Sequence, residues 1–192
     1  MNLKKTIILV SISLTIIAPL SALAFYKPIR VIIPEIFGIN CQYDNLCVED
    51  NSKLFSAIKL VKSSKTSLEN NWGLIVGNPK IIFCSTDECK ETFGLSKAAG
   101  YTVGTFGIII TPRGWKEHYV SHELIHFWQA NNYGSYVLIS SKSWVIEGMA
   151  YGLSGDPRKV LSEPFQSYRS KYLSWHKDIP IKDLKTKLAS IM

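Results

Sequence analysis

Helical and strand-like spacings alternate along the chain. Leu54, Phe55, Ile58, Leu60 and Val61 recur as an amphipathic face behind the capping residues Asp50-Asn51-Ser52, which predicts a helix running towards Asn70. Trp72 to Val76 reads as a short strand closed by Gly77-Asn78-Pro79, and Lys80 to Cys84 as a buried strand. Ser85-Thr86-Asp87 caps a short helix that stops near Gly94. Tyr101 to Thr111, with Val103, Phe106 and isoleucine at 108–110, reads as one strand ended by Pro112. A helix rich in aromatics and histidines is predicted from Trp115 to near Asn131, and a second from near Ser143 through Met149 to Leu153. A third is expected from the Asp156-Pro157 cap to near Trp175, with a break at Pro164. A helix, strands and then helices make an α+β domain with a small sheet.

The amino terminus follows neither period. Lys4 and Lys5 precede an apolar or small stretch, Thr6 to Leu20, and Ser21-Ala22-Leu23-Ala24 offers the small residues a signal peptidase reads. Residues 1–24 are therefore expected to be a signal peptide cleaved after Ala24, or an uncleaved anchor, since Ile7 to Tyr26 is long enough to span a bilayer. Either way the rest of the chain is exported, to the periplasm or outside the cell, or held at the membrane facing out of the cytoplasm. Residues 25–48 form an expected extended segment, punctuated by Pro28, Pro34 and Gly38, that leads into a cysteine loop; residues 49–192 form the remaining domain.

Four cysteines suit that compartment. The pairs Cys41/Cys47 and Cys84/Cys89 read as two local disulfides, although four cysteines allow three connectivities, and a zinc site built from all four is the alternative. The content of 46% hydrophobic and 19% charged residues excludes a disordered chain, and no internal repeat is visible. The net charge is +7, two of it from Lys4 and Lys5. A basic surface favours anionic partners such as lipid headgroups or acidic polymers. The cations are scattered and no nucleic-acid motif is present, so a nucleic-acid partner is not expected.

Residues 122–126 read His-Glu-Leu-Ile-His. Positions four apart share one helix face, so both imidazoles can reach one ion, while Glu123, turned about 100° from His122, sits where it can serve a metal-held water. The bland alternative is a pair of ordinary histidines on an aromatic helix. A third ligand is available in Glu147, which stands in the apolar helix Ser143-Trp144-Val145-Ile146-Glu147-Gly148-Met149-Ala150. A buried glutamate needs a partner, which a metal would supply; an ion pair with Lys142 or Arg158 would also supply one. Gly148 is expected to let this helix approach the histidine helix closely.

Together the two histidines, the intervening glutamate and the later Trp-x-x-Glu-Gly-x-Ala resemble the gluzincin branch of zinc metallopeptidases over roughly Ile108 to Gly155. Glu-Gly-Met-Ala-Tyr with the following Leu-Ser-Gly-Asp-Pro-Arg also resembles small bacterial proteins of peptidase type, over most of residues 31–175. The resemblance implies a zincin-like fold, with a small mixed sheet, an active-site helix and C-terminal helices. It implies Zn2+ held by His122, His126 and Glu147, and hydrolysis of a peptide or protein substrate through a zinc-held water with Glu123 as general base. The aminopeptidase motif Gly-x-Met-Glu-Asn is absent, and the chain is smaller than thermolysin-like members, which leaves little for a second cleft-forming domain. A fold that binds zinc and an envelope partner without catalysis is the competing reading.

The remaining roles are expectations of the same kind. Tyr168 and Tyr172, with His176 and Arg158 behind them, are the candidate donors to a developing oxyanion. His118 is placed beside the metal rather than on it, and Asp156 either orients a histidine or caps a helix. Trp115, Phe127, Trp128, Trp144 and Trp175 read as packing residues. By resemblance, Gly107, Ile108 and Ile110 offer an edge strand to extended substrate; a buried central strand is the alternative.

Overall fold

Strand β3 (Ile81–Phe83) and strand β5 (Gly107–Ile110) are apolar throughout because each is buried on both faces. Successive side chains point to opposite faces of a strand, so Ile81, Phe83, Ile108 and Ile110 enter one core while Ile82 and Ile109 enter another. The computed structural model describes residues 3–43 and 45–192; Met1, Asn2 and Asp44 lie outside the described residues. The sheet has five strands in the order β1 (Asn40–Tyr43), β2 (Leu46–Val48), β3, β5 and β4 (Gly100–Val103). Strands β2, β3 and β5 run parallel, and β1 and β4 close the two edges antiparallel. The architecture is thus mixed α+β, with a small mixed sheet and several helices.

The larger core lies between one sheet face and the helices. Helix α2 (Leu54–Trp72) carries Ala57 and Leu68 onto the same cluster as Val120, Leu124 and Ile125 of helix α4 (Glu117–Tyr133). Residues 120–130 of α4 are buried on every side, which explains the apolar and aromatic character of that helix all round. The other face is covered by Val31, Ile39, Phe93 and Leu95 together with both disulfides. Cys41–Cys47 joins directly opposed positions of β1 and β2, and Cys84–Cys89 ties the end of β3 to helix α3 (Asp87–Thr92), whose N-cap is Thr86. Both bridges are the local ones expected, so no sulfur is left for a four-cysteine metal site. The two disulfides point to an oxidising, exported environment.

Four expectations change. Residues 27–37, expected to be extended, coil as two 3-10 turns, each with a proline at its start, Pro28 second in one and Pro34 first in the other. Trp72 to Val76 is no strand, because α2 runs to Trp72 and Gly73 ends it with φ +64°. Tyr101 to Thr111 is a hairpin rather than one strand, since Gly104 at φ +52° and Gly107 let the chain reverse between β4 and β5. Asp156-Pro157 starts no helix. Asp156 is held instead by Arg158, the chain stays irregular to a cis Glu163–Pro164 bond, and helix α7 begins at Phe165 and ends at His176. Two further helices, α5 (Val137–Ser140) and α8 (Ile181–Ala189), complete the chain around helix α6 (Ser143–Leu153).

Helix α1 (Leu3–Phe25) covers most of the expected targeting segment and leaves Ile7, Ile12, Ile16, Ile17 and Leu20 exposed. Among the described residues no helix is long and apolar enough to cross a membrane, so the anchor reading finds no spanning helix there.

Gly148 does allow a close approach, but to α7 and not to α4. A Cβ there would press on the Tyr168 carbonyl and lie 2.8 Å from the Tyr172 Cβ. Gly148→Ala is therefore expected to destabilise the fold by roughly 1–3 kcal/mol, the usual cost of overpacking. A denaturant midpoint unchanged from wild type would show that α7 yields freely.

Candidate metal centre

Helix α4 packs against both helix α6 and strand β4. From α4, His122 and His126 point the same way, with their Nε2 atoms 3.0 Å apart. From α6, Glu147 presents Oε2 at 3.5 Å from His122 Nε2 and Oε1 at 3.6 Å from His126 Nε2. Among the described residues these three side chains form a group placed to hold a metal ion. Glu147 makes neither of the alternative ion pairs, since Lys142 Nζ donates to the Ile191 carbonyl and Arg158 is engaged by Asp156.

The histidine tautomer follows from the surroundings. The Gln129 amide donates from Nε2 to the Ile146 carbonyl at 3.2 Å, which turns its Oε1 towards His126 Nδ1 at 2.9 Å. That oxygen can only accept, so Nδ1 carries the hydrogen and Nε2 keeps its lone pair for an ion. Gln129 is fully buried and three positions after His126, on the same helix face. Gln129→Leu is expected to weaken divalent-metal affinity about 10–100-fold, as loss of a ligand's supporting partner generally does. Competition against a chelator of known affinity measures it, and an unchanged constant would remove Gln129 from the site.

Glu123 lies beside the group and not in it. Its Oε2 accepts from Thr102 Oγ1 at 2.7 Å, and the same hydroxyl reaches the Glu123 carbonyl at 3.0 Å. Gly100 makes room, because a Cβ there would meet Glu123 Cγ at 2.6 Å. Burial pushes the Glu123 carboxyl up to about 7, against the pull of His126 and the Thr102 hydrogen bond. Burial opposes ionisation of Glu147 too, but there the hydrogen bond to His122 and the two imidazoles win and bring it down to about 2. Two carboxyls in one cleft are thus driven apart, one held well below the usual carboxylate range and one raised towards neutrality.

These groups line a cleft of about 440 Å³, bordered on one side by residues 97–102 and on another by Tyr151, Arg158 and Phe165. Tyr151, four positions after Glu147, packs its ring on His122 with centroids 4.4 Å apart. Tyr168 and Tyr172 do not reach the cleft. Tyr172 is wholly buried behind α6, stacked on His176 at 5.6 Å, and Tyr168 packs against Phe165. Their expected place on the cleft wall belongs to Tyr101, Tyr119 and Tyr151. Gly107, Ile108 and Ile110 offer no edge, because β5 lies between β3 and β4 and is buried along its whole length; the edge beside the cleft is β4. His118 rests on the Tyr119 ring at 4.2 Å, outside the ligand group, and Asp156 orients no histidine. The five aromatics expected to pack do so against the main core.

Three supporting residues escaped the sequence reading. Gln129 and Tyr151 carried a weak signal in their helical spacing from His126 and Glu147. Thr102 carried none, for it arrives from a strand twenty-one positions upstream of Glu123. No family model, curated protein or solved structure matches the chain.

Proposed function

We propose that the protein is an exported zinc-dependent peptidase in which His122, His126 and Glu147 hold the metal and Glu123 is the general base. The observation that carries this reading is the convergence of three ligand atoms beside a fourth, separately supported carboxyl. The donor set suits zinc in spacing and chemistry. Tetrahedral zinc with bonds of about 2.0–2.1 Å requires ligand atoms about 3.3 Å apart, and the separations here are 3.0, 3.5 and 3.6 Å. A cation between the two imidazoles and the carboxylate would also give all three buried or half-buried polar groups a shared partner.

Bound zinc would polarise the scissile carbonyl and acidify the attacking water. Glu123 takes the proton of that water and returns it to the leaving amine. Thr102 fixes the position of the Glu123 carboxyl through one of its oxygens. Gln129 holds His126 in the tautomer that ligates, and the buried wall of α4 and α6 excludes bulk water behind the site. The resemblance to gluzincins over residues 108–155 adds to this reading. The test is zinc content and hydrolysis of a mixed peptide library by wild type and Glu123→Gln. A wild type that holds zinc yet cleaves nothing would favour the non-catalytic reading.

A further inference from the structure

Part of the cleft wall carries positive charge beyond the metal group and its general base. Lys97, Arg113 and Arg158 line the same cleft as the metal ligands. Arg158 is held in a frame. Its Nε donates to Asp156 Oδ1 at 2.9 Å, the Asp156 side chain is only 2% exposed, and the Arg158 carbonyl accepts from Arg169 Nη1 at 2.9 Å. The guanidinium lies over the rings of Tyr119 and Tyr151, 5.7 and 5.8 Å from their centroids, and Arg113 lies 6.0 Å from the same Tyr119 ring. Tyr151 in turn packs on His122, which puts the Arg158 charge one ring away from a metal ligand.

Part of the hydrogen-bonding capacity of these cations is also uncommitted. Asp156 takes the Nε and Nη2 edge of Arg158, and no hydrogen bond among the described residues engages its Nη1. Arg113 gives one N–H to the Lys97 carbonyl at 3.0 Å, and neither Arg113 nor Lys97 forms an ion pair among the described residues. The acidic groups of the cleft, Glu123 and Glu147, belong to the centre itself. Two guanidinia on one tyrosine ring, one of them locked by a buried carboxylate, form a preorganised receptor for a planar anion rather than a pair of mobile surface cations.

We propose that this basic wall binds a carboxylate of the substrate, so that the cleft selects peptides carrying negative charge next to the scissile bond. The peptide nature of the ligand rests on the peptidase reading; the carboxylate preference rests on Arg113 and Arg158. Two sources are possible, an acidic side chain and a free C-terminus.

The test uses one peptide in four forms, with Glu or Gln beside the central bond and with a free or amidated C-terminus. Binding is measured by fluorescence anisotropy on zinc-loaded Glu123→Gln protein, and turnover on wild type. The charged form is expected to bind at least about tenfold tighter than its neutral match, the scale of one charge-assisted hydrogen bond. Which pair shows the difference identifies the source. Adding Arg113→Gln, an exposed position, should bring the charged-to-neutral ratio towards one, and Arg158→Lys, which keeps the charge but loses the fork, should lower it. Charge-selective binding without turnover of any form keeps the inference and sinks the peptidase reading. Equal binding of charged and neutral forms, no binding of any, or a preference that survives both substitutions overturns the inference whatever the turnover.

Discussion

Glu147→Ala is expected to abolish stoichiometric metal binding while leaving a folded chain. Loss of a partner that merely supports a ligand costs roughly 10–100-fold in affinity, so loss of Glu147, the proposed carboxylate ligand, is expected to exceed that range. The reason lies in the geometry. His122 and His126 present their Nε2 atoms 3.0 Å apart, and Glu147 brings a carboxylate against both, at 3.5 and 3.6 Å. Its carboxyl is held down at about 2, so it meets a cation fully ionised at any physiological pH. Glu147→Gln separates charge from shape, because the amide fills the same space and should still fail to retain the ion. Metal analysis after dialysis reads both variants. One equivalent of metal in Glu147→Ala would mean that the histidines alone, or a different third group, form the centre.

The grouping of His122, His126 and Glu147 was legible in the sequence because the three lie on two helices whose periodicity is strong, and local spacing decides which side chains share a helix face. His122 and His126 needed only the four-residue repeat. Glu147 needed the further argument that a carboxylate in an apolar helix must have a partner, and the structure supplies that partner from α4. What the spacing could not convey is which element packs against which. Gly148 signalled a close approach, but nothing local said that α7 and not α4 would use it. Tyr168 and Tyr172 were assigned to the cleft on helical position alone, and the tight packing at Gly148 turns Tyr172 into the core behind α6. Three successive isoleucines described burial correctly but not connectivity. The preceding Gly104 and Gly107 fold that stretch into a hairpin, which makes β5 interior and hands the cleft edge to β4. Thr102 and Gly100 thereby acquire their roles around Glu123, and no local pattern could have announced either.

Glu123→Gln should retain the metal and lower hydrolysis by about 10²–10⁴-fold, the usual contribution of a positioned general base. Zinc is expected to stay because Glu123 is no ligand, and the amide still accepts from Thr102. The same substitution has a consequence in the metal-free protein that does not depend on any substrate. Burial raises the folded carboxyl from 4.5 to about 7, so between those values the folded chain keeps a proton that the unfolded chain releases. Stability must then fall as pH rises from 4.5 through 7, by on the order of 3 kcal/mol for this group. Glu147 does not blur the effect, since its depressed carboxyl stabilises above 4.5 and is lost only as pH falls towards 2. His118 and His176 are both lowered, mainly by burial, and push stability the other way, upward with pH, but they do so equally in wild type and variant. The difference between wild type and Glu123→Gln in urea midpoints, measured after chelation from pH 5 to pH 8, therefore isolates Glu123. A cation at the centre favours the ionised carboxylate, so reloading zinc should flatten that difference. If the two metal-free profiles run parallel, Glu123 ionises as freely in the folded chain as in the unfolded one. The proposed general base would then lack a carboxyl tuned near neutrality.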